Sequence, residues 1–257
     1  MLFKTKSLQN YQLDSLDGEI GKFLEFYFDD THWTIRYLVA DTGNWLTGRE
    51  VLISPYALVA ALKKENRIAI NLTKKQIEES PSLNSDKPVS RQFEMEYHGY
   101  YGWPSYWGGP STWGFSHIPA SDPDLLGASV EDVRDPDDRH LRSTEEVTGY
   151  HIETIDGKIG HVADFIIDDE TWAIRYLVID TRNWWPGKKV LISPEWIERV
   201  SWRESKVFVN LSRDVIKTAP DYVEEGLITR DYERGLFRHY GRDVYWAHER
   251  DQLTPSE

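Results

Sequence analysis

Residues 11–15 alternate polar and apolar side chains, which predicts a short strand. Leu16-Asp17-Gly18 then supplies a turn, because Asp-Gly accepts positive φ at low cost. Ile20, Phe23 or Leu24, Phe26 and Phe28 predict a long strand ended by Asp29-Asp30. Trp33 to Asp41 is β-branched and aromatic, a third strand. A polar, glycine-containing loop (Thr42 to Arg49) leads to a fourth strand at 51–53, stopped by Pro55. Residues 57–62 read equally as a short strand or a turn of helix, and 67–72 as a further strand. Thr73 is a helix-capping residue before helix formers, Pro81 closes that helix, and 91–101 read as helical again.

The whole pattern then recurs. Asp17 to Gly21 (DGEIG) and Asp156 to Gly160 (DGKIG) lie 139 residues apart. At that offset TIRYLVADTGNWLTGREVLISP (34–55) falls on AIRYLVIDTRNWWPGKKVLISP (173–194). Asn71-Leu72 meets Asn210-Leu211, Arg91 meets Arg230, and Tyr106-Trp107 meets Tyr245-Trp246, with no insertion between Leu2 and Trp107. Self-similarity of this length sets the domain organisation. The expected division is a first repeat at 1–107, a Trp/Gly/Pro then acidic linker at 108–140, a second repeat at 141–246 and a polar tail at 247–257. Each repeat is large enough for its own core, and two copies predict a pseudo-twofold arrangement.

Composition narrows the function classes. The 257 residues contain no cysteine, which excludes disulfides, thiolate metal sites and thiol catalysis and fits a reducing cytoplasm. No apolar run has the length of a secretory signal core or a membrane helix, so a soluble cytoplasmic protein without a transmembrane segment is expected. The net charge of −13, with basic residues interspersed among acids, argues against nucleic acid as a partner. The linker carries seven acidic and two basic residues, the largest acid excess per residue in the chain.

The succession of strand, DGxIG turn, strand ending in Asp-Asp, then (T/A)IRYLVxDTxNWxxGxxVLISP resembles the PRC-barrel family, over roughly 8–80 and 147–219. This fold is shared by the cytoplasmic domain of the photosynthetic reaction-centre H subunit and by a domain of the ribosome-maturation factors. The resemblance implies a mainly β chain with short helices, built as two tandem small barrels that bind partners rather than catalyse. The chain is most similar to stand-alone bacterial proteins with two such barrels. A non-enzymatic scaffold mediating protein–protein assembly is the leading expectation. The alternatives are a peripheral component of a membrane electron-transfer or stress-response assembly, and a small-ligand binder or enzyme with a site between the barrels.

Several constellations bear on that choice. Asp29-Asp30 and Asp168-Asp169 read as exposed turn formers, with a hard-cation site or an acid–base pair as the alternatives. Arg36 and Arg175 read as outer-face arginines paired with Asp41 and Asp180, or else as anion clamps. The eight histidines show no spaced ligand pair and none recurs in both copies, so no metal is expected. No nucleotide-binding glycine loop or serine elbow is present, so no cofactor and no catalytic residue is expected. Trp45, and Trp184 with Trp185, sit in a polar loop as partner anchors at the seam between the barrels or as lids on their own barrel. The stretch 97–115 includes Tyr100, Trp103, Tyr106, Trp107 and Trp113, an aromatic surface for packing or partner docking, for a small ligand, or for a membrane surface.

Overall fold

The computed structural model describes residues 1–46, 48–62, 66–82, 89–107, 140–181, 187–224 and 226–247, with 60–62 described for backbone alone. The chain is mainly β. The first repeat contains β1 (Leu2–Lys4), β2 (Gln12–Ser15), β3 (Gly18–Asp29), β4 (Thr34–Asp41), β5 (Glu50–Ile53), β6 (Leu58–Leu62), β7 (Arg67–Ile70), α1 (Lys74–Glu78) and α2 (Arg91–Tyr101). The second contains β8 (Leu141–Ser143), α3 (Thr144–Val147), β9 (His151–Thr154), β10 (Gly157–Asp168), β11 (Ile174–Asp180), β12 (Lys189–Ile192), β13 (Ile197–Ser201), β14 (Lys206–Val209), α4 (Arg213–Thr218) and α5 (Arg230–His239). The ambiguous stretch at 57–62 is a single 3-10 turn at Pro55–Ala57, then strand β6.

Two compact units emerge. Unit 1 is Met1, Phe3–Glu146 and Ile167–Ile174; unit 2 is Leu2, Val147–Ile166 and Arg175–Glu257.

The two main sheets share one topology. The orders are β5-β4-β3-β2-β7-β6 and β12-β11-β10-β9-β14-β13, and in unit 1 β8 adds to β3. The turn residues explain the central hairpin. Ser15 Oγ donates to the Gly18 carbonyl at 2.6 Å, and Asp17 Oδ1 accepts from the Lys74 backbone N–H at 2.7 Å, so one turn also anchors the start of α1. Asp156 repeats that contact to the Arg213 N–H at 2.8 Å. Gly21 has φ of 141°, and a Cβ there would penetrate the Asp41 carbonyl and lie 2.9 Å from the Thr42 Cα. Gly160 is held the same way against Asp180 and Thr181. Only glycine lets β3 cross β4 so closely.

The expectation of small barrels needs a correction in detail. Among the described residues the hydrogen-bonded order is an open path, with β5 and β6 at its ends in one sheet and β12 and β13 in the other. The segments that follow each sheet take up the β5 and β12 edges instead. The Tyr97 hydroxyl donates to the Leu52 carbonyl of β5, and the Tyr222 N–H donates to the Lys189 carbonyl of β12 at 2.8 Å.

α2 opens on Ser90, whose side chain accepts from the Phe93 N–H, and stops at Gly102 in the left-handed conformation. It buries Phe93 and Tyr97 against Tyr37, Val39, Leu52, Val89 and Leu141. Each such side chain removed from water contributes about 1.5–3 kcal/mol. In unit 2, Trp196 packs on Phe237 and Tyr240 of the matching region, with ring centroids 5.2 and 4.5 Å apart.

Two buried tryptophans adopt strained backbones. Trp33 has φ of 51° and Trp172 has φ of 61°. Within unit 1 the Ile35 N–H donates to the Trp172 carbonyl at 2.9 Å and the Ile174 N–H to the Trp33 carbonyl at 2.8 Å. These bonds help to offset a left-handed conformation that disfavours a bulky residue by about 1–3 kcal/mol.

Candidate functional site

Two features of unit 1 stand out, one sealed and one open. The sealed one is a polar cluster beneath α2. Glu94 is fully buried and accepts from the Tyr37 hydroxyl at 2.9 Å, from Arg91 at 3.0 Å and from the Tyr106 hydroxyl, with His140 Nε2 at 3.2 Å. Burial alone would raise its carboxyl pKa, yet the hydrogen bonds from His140 and Tyr106 and the Arg91 charge hold it below the ordinary value. The Arg91 guanidinium can only donate, so Nδ1 of His140, 3.2 Å away, accepts and the ring proton sits on Nε2. Arg36 lies over the Tyr106 ring at 3.9 Å and Arg91 over Trp107 at 4.5 Å.

Unit 2 holds a counterpart. Glu233 accepts from Tyr176 at 2.7 Å, Tyr245 at 3.1 Å and Arg230 at 3.2 Å, while Arg175 lies over Tyr245 at 4.2 Å. Two substitutions separate the copies here: His98 in unit 1 is Phe237 in unit 2, and His140, beside Glu94, aligns at the 139-residue offset with Met1.

Two expectations are corrected by this cluster. Arg36 is not an outer-face side chain paired with Asp41; it is 1% exposed and donates to Asp29 at 2.7 and 3.2 Å. Arg175 is buried as well. Residues Thr34–Ala40 of β4 are buried throughout, so the strand has no outer face for an arginine to occupy. Asp29 is likewise not an exposed turn former. It is 2% exposed, accepts from the Thr31 and His32 backbone N–H groups, and pairs with both His32 and Arg36. Burial pushes its pKa up, but the His32 hydrogen bond and the Arg36 charge outweigh that and hold it well below the carboxylate range. Asp30 pairs with Arg142 at 2.8 Å. Among the described residues no group of three or more His, Asp or Glu side chains is placed to hold a metal ion.

The open feature is a cleft of about 350 Å³ lined by Glu19, Gly21, Lys22, Asp41, Asn44 and Trp45, among others. The Asn-Trp loop is held from within: Gly43 N–H donates to Asp41 Oδ1 at 2.9 Å, and Trp45 N–H to the Thr42 carbonyl at 3.1 Å. The half-buried Trp45 ring carries Lys74 Nζ at 4.6 Å. Trp184, Trp185 and Trp113 lie outside the described residues.

The other predicted aromatics divide into a stack and a cage. Trp103 stacks on Tyr101 at 4.3 Å and on Tyr56 at 6.0 Å. Tyr100 remains 41% exposed while its hydroxyl donates to the Gln76 carbonyl at 2.9 Å. Tyr106 and Trp107 turn inward over the cluster. Glu94, His98 and His140 were missed from the sequence. Glu94 had a signal, since it recurs as Glu233 on the helix that also repeats Arg91 as Arg230.

No helix among the described residues is long and apolar enough to cross a membrane. No curated protein matches the chain. A comparison with family profiles finds the PRC-barrel domain over residues 142–216, which takes in β9 through β14 and most of α4. The matched strand order is the one that β2 through β7 repeat in unit 1. Residues 142–216 of this chain are therefore a PRC-barrel domain.

Proposed function

We propose that this chain is a non-enzymatic binding protein that assembles with another protein, using the Trp45 cleft as a docking surface. The observation that carries the reading is the cleft itself. A large aromatic ring lines an open concavity together with Lys22 and the carboxylates of Glu19 and Asp41, in a loop whose own hydrogen bonds already hold its shape. A preformed aromatic anchor ringed by charge suits a protein surface, where aromatic side chains carry most binding energy and charged neighbours set orientation. By contrast, the ionisable groups with the strongest environments, Glu94 and Asp29, are sealed from any substrate. The PRC-barrel domain, a module that often acts in protein interaction, supports the same reading. The net charge of −13 disfavours a nucleic-acid partner.

The test is affinity capture of the tagged full chain from its own host, with cross-linking and mass spectrometry, beside Trp45→Ala and Leu16→Ser. Leu16 is an exposed turn residue outside the cleft. Partners recovered with the parent chain and Leu16→Ser but lost with Trp45→Ala are expected. An unchanged set in Trp45→Ala rejects the cleft; an empty set with the parent chain rejects the binding role.

A further inference from the structure

We propose, resting on the docking role of the Trp45 cleft, that the cleft receives an arginine side chain from a basic segment of the partner protein. Charge is the first reason. Glu19 and Asp41 bring two carboxylates to the lining, and Lys22 brings one ammonium. All three residues are exposed, and none of them makes an ion pair among the described residues. Lys22 and Asp41 stand directly opposite each other in the β3–β4 ladder, where such a pair would form most readily. Asp41 instead turns Oδ1 back to the Gly43 N–H at 2.9 Å, and its Oδ2 accepts no hydrogen bond among the described residues.

The shape of the remaining groups selects arginine over lysine. Lys74 Nζ lies 4.6 Å from the centre of the Trp45 ring, so the ring already attracts a cation. A guanidinium is flat, stacks on an indole and sheds water more readily than an ammonium, so it competes well for that ring. Asn44 is exposed, and its carboxamide oxygen accepts no hydrogen bond among the described residues. The planar fan of guanidinium N–H donors thus meets carboxylate and carboxamide acceptors at its edge while Trp45 takes its face. At longer range, the net charge of −13 draws a basic partner toward the chain.

The second repeat separates these features from the shared scaffold. Its sequence keeps Asn183 and Trp184, but Lys158 stands where unit 1 has Glu19, and His161 where it has Lys22. Lys158 lies 3.9 Å from Glu153, and Asp180, the counterpart of the exposed Asp41, is only 3% exposed. The acidic rim therefore belongs to unit 1 and is not a by-product of the fold. Glu19→Lys copies the unit 2 residue into it.

The experiment titrates the 15N-labelled full chain at low salt with acetylated, amidated tripeptides: Gly-Arg-Gly, Gly-Lys-Gly and Gly-Glu-Gly. The signal followed is the Trp45 indole N–H, assigned by its loss in Trp45→Phe. Gly-Arg-Gly is expected to shift it saturably and to bind about threefold or more tighter than Gly-Lys-Gly, while Gly-Glu-Gly leaves it in place. Glu19→Lys is expected to weaken the arginine probe about tenfold, and Lys74→Ala, which removes the competing cation, to tighten it about two- to fivefold. Leu16→Ser, outside the cleft, leaves its affinity unchanged. A Trp45 signal that Gly-Arg-Gly does not move overturns the arginine site. So does equal affinity for the arginine probe and either of the others, or undiminished arginine affinity in Glu19→Lys. If the arginine probe fails while Trp45→Ala still sheds the captured partners, the docking role stands without its arginine; if both fail, the docking role falls as well.

Discussion

Replacing Glu94 by glutamine tests the buried cluster with almost no change of shape. Glu94 has four close polar neighbours: two tyrosine hydroxyls, Arg91 and His140. A glutamine carbonyl keeps the two hydroxyls. Its amide then points two donors at the Arg91 N–H and the His140 Nε2–H. Two charge-assisted contacts, each about 1.5–3 kcal/mol, are lost, so Glu94→Gln is expected to destabilise unit 1 by about 3–5 kcal/mol. With a urea m-value of about 2 kcal/mol/M, the midpoint falls by roughly 2 M. Glu233→Gln is the matched comparison. Its arginine partner, Arg230, has a side chain 55% exposed and turns to water when the carboxylate goes, so the loss there is about 1–2 kcal/mol. Urea unfolding followed by near-ultraviolet circular dichroism reads both. Equal shifts for the two variants, or a Glu94→Gln shift under about half a molar, would refute the account of Glu94 as a sealed hub.

Three further outcomes follow from other features. Gly21→Ala places a methyl group in the Asp41 carbonyl, so its melting temperature is expected to drop by more than about 10 °C, equivalent to roughly 3 kcal/mol; an unaltered melting curve would show that β3 and β4 can part freely. Asp29 has its pKa lowered in the folded state, so the unfolded chain binds its proton first as pH falls. The stability it supplies is complete above about pH 4 and lost below that. Asp29→Asn is therefore expected to be less stable at pH 7 and to show a flatter acid limb between pH 4 and 2, measured by denaturant midpoints at each pH. Trp45→Ala removes the Lys74 contact and is expected to cost only about 1 kcal/mol in stability, so loss of partners in that variant reports the cleft and not unfolding.

Much of the fold is readable from alternation and from the repeat. The long strand after DGxIG ends at Asp29 and Asp168 as its terminal Asp-Asp pairs indicate, and Thr73 and Ser212 cap their helices. The interior of the site is less readable, for a physical reason. β4 is covered on both faces, so it loses the period of two that would mark inward and outward positions. Arg36 sits in a run of buried neighbours, and nothing local says that its partner is the aspartate seven residues earlier. His140 reaches Glu94 from 46 positions away in sequence, beyond any local pattern. The cleft was partly legible, because a tryptophan repeated in a polar loop marks a surface role while leaving its neighbours unknown.

The parallel pairing of β2 with β7 has a consequence for synthesis. That ladder joins Gln12 to Arg67 and Leu13 to Ile68, so β2 waits for more than fifty further residues before its second edge is filled. The meander β2–β5 is local and can zip as it leaves the ribosome, whereas closing β7 against β2 carries the larger loop entropy. Tyr27 to Asp29 of β3 wait longer still, for β8 at residues 141–143. A nascent chain stalled after α2 thus carries an exposed strand edge at the end of its longest strand. Chaperone dependence and nonsense-truncation toxicity should concentrate in that interval of translation.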